Sequence, residues 1–238
     1  NLNNIIDVMS KNPEEIASFI SSPIKVKEEQ VYDAGIFGVG LTPFYTTLAI
    51  WVGSLLLTSL LTAECEDFED GTKLNLIQKH FCKMLLFLTI SLIQTVIVVL
   101  GDKYILGVNP ANMPLMFGFA IVSSIVFTVM IFTLVSLFGN IGKAIAIVIM
   151  VFQVAGAGGI YPIQTNPKIF EILQPLWPFT YSIDGFREAI AGPIWNSVSK
   201  DMKALGIFLL IFLLLCILKK PFHRLTEFVE HKFRESGL

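Results

Sequence analysis

Charge is scarce in this sequence, and the scarcity is uneven. Only 15% of the 238 residues are Asp, Glu, Lys or Arg, against roughly a quarter in an ordinary soluble domain. No charged residue falls within 34–63, 84–101, 104–142, 144–167 or 204–218. The first four of these stretches reach the length of about 18 residues that lets a helix cross the hydrocarbon of a bilayer. The fifth is shorter, but Lys203, Lys219 and Lys220 flank it, and their stems can snorkel to the interface, so it also reads as a span. A soluble fold built from this chain would have no polar exterior left. The chain is therefore a membrane protein, no nucleic-acid partner is expected, and a net charge of -2 implies nothing about one.

Reactive side chains are nearly as scarce. His80, His223 and His231 lie far apart in polar segments, and Cys65, Cys82 and Cys216 have no metal-ligand spacing. No catalytic, metal or cofactor site is expected from them, and each cysteine reads as a neutral filler. There is no G-x-x-x-x-G-K-[ST] phosphate loop, and "GAGG" and "GIFGVG" miss the spacing of a dinucleotide fingerprint. Nucleotide energy, if the protein uses it, must come from another chain. The uncharged spans also argue against a carrier that couples to ions through midplane acids or bases. Gln94 and Gln153 are the notable polar residues inside the spans, and read first as interhelical hydrogen-bonding groups, with substrate contact the alternative. The chain opens on Asn1 without a secretory signal, which makes a piece of a longer protein the expectation.

What is present points to an all-α integral membrane fold. Residues 1–42 form a polar approach segment, and five transmembrane helices are expected over 43–63, 81–100, 115–138, 144–159 and 204–218. A basic amphipathic tail, 219–238, follows. The stretch between the fourth and fifth spans is apolar yet broken by Gly and Pro. Asn166 and Pro167 read as cap and first residue of a short helix over 167–174, and a second helix over 181–191 stops at Gly192 and Pro193. Irregular backbone cannot face lipid, so these helices are expected to be interfacial or re-entrant, at the depth that suits Trp177, Phe179 and Tyr181. Within the second, Arg187 can pair with Asp184 at i, i+3, either as a local salt bridge or as a gate or partner contact. Nine Lys and Arg residues gather on one side of the spans against five in the later loops of the other. By the positive-inside rule the amino-terminal end is outside, the short helices are on the outer side, and the carboxy-terminal end is cytoplasmic.

Two stretches carry a resemblance. "GGIYPIQTNPKIFEILQPLWPFTYSIDGFREAIAG" is similar to the closing portion of ABC-2 type permeases, through Gly158, Gly159, Tyr161, Pro162, Pro175, Pro178, Tyr181, Arg187, Glu188 and Gly192. "YDAGIFGVGLTPFYTTLAIWVGSLL" resembles the start of the carboxy-terminal membrane domain of YhgE/Pip (phage infection protein) proteins, through Tyr32, Gly35, Gly40, Pro43, Phe44, Leu48, Trp51, Val52 and Gly53. These proteins are also related to the EsaA/YueB components of type VII secretion. The resemblance implies a bacterial plasma-membrane location, a further amino-terminal span with a large extracellular region, a homodimer or related permease pair, and a separate ATPase subunit. It also implies that the loop with Glu64, Glu66, Asp67, Glu69 and Asp70 contacts that ATPase, where the residues alone read as a solvated charge run. Two functions stay open: export of a hydrophobic or peptide-like substrate, or a non-transporting membrane anchor for a phage receptor or a secretion apparatus.

Overall fold

The computed structural model describes residues 37–62 and 76–217. The approach segment up to 36, the acidic loop with Glu64, Glu66, Asp67, Glu69 and Asp70, and the basic tail all lie outside the described residues.

Six α-helices occur among the described residues, and no strand. They are α1 (Phe37–Leu60), α2 (Leu76–Tyr104), α3 (Met113–Gly156), α4 (Lys168–Leu173), α5 (Pro178–Ala191) and α6 (Trp195–Ile217), with single 3-10 turns at Ile163–Thr165 and Gln174–Leu176. Helices α1, α2 and α3 contain apolar runs long enough to cross a membrane. At 1.5 Å per residue the 24 residues of α1 extend about 36 Å, more than the roughly 30 Å of hydrocarbon.

The longest helix is two limbs. Gly139 sits at φ 56 and ψ -130, far from helical values, and a Cβ on Gly142 would collide with the carbonyl of Leu134. In a straight helix those two residues would be about 12 Å apart along the axis, so the chain doubles back at Gly139. The "GNIGK" turn thus separates 113–138 from 140–156. Asn112 starts the first limb, its Oδ1 accepting from Leu115 N at 3.0 Å, and Pro114 supports the first turn.

The first limb of α3 is the axle of the bundle. Met116, Phe119, Ala120, Val126, Phe127, Ile131 and Phe132 are fully buried, and α1, α2, α5 and α6 all pack on α3. Polar residues on this axle find hydroxyl partners. Ser54 of α1, Ser91 of α2, and Ser124 and Thr128 of α3 form one buried cluster with oxygen separations of 2.8–3.2 Å. Ser123, Ser182 and Thr47 form a second.

Helix boundaries differ from the sequence expectation where polar residues turn inward. Helix α2 continues past 100 to Tyr104, because Asp102 is buried and receives a 2.6 Å hydrogen bond from the Thr46 hydroxyl. Helix α6 begins at Trp195, nine residues before the uncharged run. The second limb of α3 ends at Gly156 rather than 159.

Candidate functional site

The Gly- and Pro-rich segment after α3 builds a cap over one end of the bundle, the end where α1 begins and α2 finishes. Four interactions hold it there. The first is a side chain acting as a remote cap: Gln153 in the last turn of α3 points its Oε1 at the backbone N–H of Phe179, 3.2 Å away. That N–H is one of the orphan donors of the first turn of α5, and Trp177 at the N-cap position supplies no side-chain acceptor. Gln153 is fully buried, so its amide oxygen replaces a local cap.

The second is Arg187. Its Nη1 lies 2.9 Å from Asp184 Oδ1, the i, i+3 pair, and its Nη2 donates to the carbonyls of Gly158 at 2.9 Å and Gly159 at 3.1 Å. The guanidinium therefore ties α5 to the two glycine carbonyls that follow α3, just past its last residue Gly156. A fork of fixed donors does this and a lysine cannot.

The third is glycine. Gly158 has φ +67, a left-handed conformation that side chains disfavour, and a Cβ on Gly159 would enter the Phe44 ring and stand 3.1 Å from Ile183 Cδ1. Gly185 is equally tight, since a Cβ there would meet the Phe119 ring. The fourth is an aromatic bridge: Trp51 of α1 stacks edge-on against Phe127 of α3 at 5.1 Å and Phe179 of α5 at 5.4 Å.

These contacts bring together residues from both ends of the sequence: Trp51, the neighbour of Pro43 Phe44, and Gly158, Gly159, Pro178, Arg187 and Gln153. Pro43 lies inside α1, and Thr47 Oγ1 donates to its carbonyl at 2.8 Å. The remaining candidates sit apart. Gly53 faces Gln94 across the α1–α2 contact, where a Cβ would stand 3.3 Å from Gln94 Oε1. Tyr161 is exposed and Pro162 opens the 3-10 turn. Tyr181 donates to the carbonyl of Pro175 at 3.0 Å; burial, then Asp201 and Asp184, push its phenol up from the ordinary value. Glu188 accepts from Ile194 N and fixes the turn at Gly192, whose φ is +128, leading into α6.

Several details run against the sequence reading. Asn166 does not cap its own helix: Pro167 takes the N-cap position of α4, and the Asn166 amide donates 2.8 Å to the Ala155 carbonyl of α3. The second short helix begins at Pro178 rather than at 181, and a 3-10 turn at Gln174–Leu176 holds Pro175 between the two helices. His80 and Cys216, read as isolated, meet at 2.7 Å, with Thr133 on the sulfur at 3.1 Å and Ser136 on the other ring nitrogen at 3.0 Å. No group of three metal-ligating side chains occurs among the described residues. Asp102 escaped notice because "GDKY" reads as a loop, although Thr95, Val99 and Asp102 share the i, i+4, i+7 spacing of one buried face.

The sequence has a match among known protein families. The family model described as ABC-2 family transporter protein covers residues 1–218. The chain belongs to this family. The uncharacterized protein YhgE of Bacillus subtilis (strain 168) is 28% identical over 180 residues, which is 74% of this chain and 23% of that protein. The chain thus spans about a quarter of the length of this curated relative. No solved structure matches. Membership of the YhgE/ABC-2 permease type, with its apolar helices, makes this a multi-pass membrane protein of a transport-associated class.

Proposed function

We propose that this ABC-2 domain is the membrane part of an export permease, driven by a separate ATPase, that moves a hydrophobic or peptide-like substrate outward. The family match over residues 1–218 carries the reading. In this reading five helices span: α1, α2, the two limbs of α3, and α6 from Ala204 onward. The amino-terminal end lies outside in the plasma membrane of a bacterium, the Gln153–Arg187 cap faces out, and two permease copies pair. The acidic stretch Glu64, Glu66, Asp67, Glu69 and Asp70 then lies on the cytoplasmic side, where it docks the ATPase through charge. Electrostatic complementarity of that kind mainly sets association rate and partner choice.

The test is extraction of the full-length protein from native membranes in mild detergent, followed by identification of what comes with it. The expected result is a copurifying P-loop ATPase whose association weakens when Glu66, Asp67, Glu69 and Asp70 are changed to Gln or Asn. Recovery with secretion proteins and no ATPase overturns the reading in favour of an anchor. An ATPase that stays bound to the neutralised loop overturns the docking assignment alone.

A further inference from the structure

A cluster of reactive side chains lies at the end of the bundle away from the cap, where α2 begins and α6 finishes. His80 stands in the first turns of α2 and Cys216 in the last turn of α6, 6% and 5% exposed. Three contacts hold them in line. Ser136 Oγ lies 3.0 Å from His80 Nδ1, His80 Nε2 lies 2.7 Å from Cys216 Sγ, and Thr133 Oγ1 lies 3.1 Å from the same sulfur. Thr133 and Ser136 stand at i, i+3 on the first limb of α3, so one helix face brings both hydroxyls to the pair. The Phe132 ring lies 4.9 Å from the His80 ring between centroids, and Phe87 belongs to the same apolar wall.

A thiol that merely filled space would need only the apolar wall. This one has a base within hydrogen-bond reach, and that base is held by a third group, which is the arrangement that activates a nucleophile. With Nδ1–H donating to the Ser136 oxygen, the ring turns the lone pair of Nε2 toward the sulfur. The imidazole then takes the thiol proton, and the Thr133 hydroxyl donates to the thiolate that remains. It is the thiolate that reacts with electrophiles.

We propose that Cys216 is a peroxide-reactive thiol, with His80 as its base and Ser136 as a positioning residue. The sulfur attacks one oxygen of hydrogen peroxide; an S–O bond forms and the O–O bond breaks. The departing hydroxide takes the proton that His80 holds and leaves as water. Sulfur is oxidised to the sulfenic acid, and the peroxide is reduced. A peroxide suits the site by size: a thiol 5% exposed is closed to bulky electrophiles, yet Cys216 is one residue from the end of α6 and not in its middle. The added oxygen displaces the sulfur from His80 and Thr133, so oxidation loosens the joint of α2, α3 and α6. The inference does not depend on what the protein transports, or on whether it does.

The test uses the full chain in liposomes, with Cys65→Ser and Cys82→Ser leaving Cys216 as the thiol, and with Cys65→Ser and Cys216→Ser leaving the exposed Cys82. Each is treated with hydrogen peroxide at about pH 7, quenched with catalase at timed intervals, and unfolded in detergent containing dimedone, whose adduct is read by mass. Trapping after unfolding keeps access of the probe out of the measurement. Cys216 should be oxidised about tenfold faster than Cys82, because only a few per cent of an ordinary thiol is ionised at that pH. The two rates should agree when peroxide is added after unfolding. His80→Gln should remove the advantage; Ser136→Ala should remove much of it, and Ser136→Thr, which keeps the hydroxyl, should restore it. Cys216 reacting no faster than Cys82 in the folded chain, or a fast rate surviving in His80→Gln, would overturn the proposal, and an undiminished rate in Ser136→Ala would overturn the role given to Ser136. The comparison of the two thiols leaves His80 in place, so it decides the matter even where His80→Gln fails to fold.

Discussion

The bundle and its cap are fastened by opposite strategies. Around the first limb of α3, contact is spread over many side chains: edge-on and tilted aromatic rings, aliphatic side chains and two clusters of hydroxyls. Between the second limb of α3 and α5, the fastening rests on a few groups, namely the Gln153 amide, the Arg187 fork and two glycines without a Cβ. Lipid offers no hydrophobic force between helices, so the bundle needs close packing everywhere and no single hydrogen bond decides it. The cap has irregular backbone, whose orphan N–H and C=O groups need named partners. A distributed contact resists single changes, whereas a pinned one moves as a unit. Helix α5 takes part in both, since Phe179, Ile183, Phe186 and Ala189 are fully buried in the core of the bundle.

The contrast can be broken at a side chain that touches both regions. Trp51→Ala removes the ring shared by Phe127 and Phe179 and should cost about 3–5 kcal/mol, read as loss of thermal stability in detergent with the cap and bundle failing together. Separate melting of the cap would show the two regions to be less joined than their shared aromatic bridge implies. A smaller effect is expected at Gly159→Ala, where the new methyl meets Phe44 and Ile183. Overpacking of about 1–3 kcal/mol should fall on the joint between the cap and α1, visible as faster proteolysis of 160–191.

The smallest changes sharpen the comparison by setting one region against the other. Arg187→Ala leaves the Gly158 and Gly159 carbonyls without their donor and should cost about 1–2 kcal/mol, discounted because the side chain is 43% exposed. Arg187→Lys should recover little of it, since an ammonium cannot span both carbonyls and Asp184. Ser91→Ala, although it removes three hydroxyl contacts in the bundle, should cost about 0.6 kcal/mol, the usual worth of such bonds between membrane helices. If Ser91→Ala proves the more damaging of the two in thermal unfolding, the bundle is pinned and the comparison reverses.

Much of the architecture was legible in advance because membrane crossing is a one-dimensional constraint. A helix in lipid has to be apolar for about 18 residues, and that requirement is written in consecutive letters. The reversal at Gly139 falls in the short gap between the spans expected over 115–138 and 144–159, where a tight turn needs backbone freedom at a fixed place. The cap was legible as a region and not as a mechanism. Pro162, Pro175, Pro178 and Gly192 marked its corners, and Arg187 with Asp184 was recoverable from helical spacing. Nothing local could say that Arg187 also reaches the end of another helix, or that Asn166 bonds to Ala155 instead of capping its own.

Residue order by itself therefore determined the membrane class, the apolar runs, their breaks and the family, because each rests on local chemistry and spacing. Tertiary structure alone decided which polar groups meet: Gln153 with Phe179, Thr46 with Asp102, and His80 with Cys216. The physical reason is that a polar group buried in a bundle is satisfied or stranded by whatever helix packs beside it. Its partner may stand more than a hundred residues away, as Cys216 does from His80.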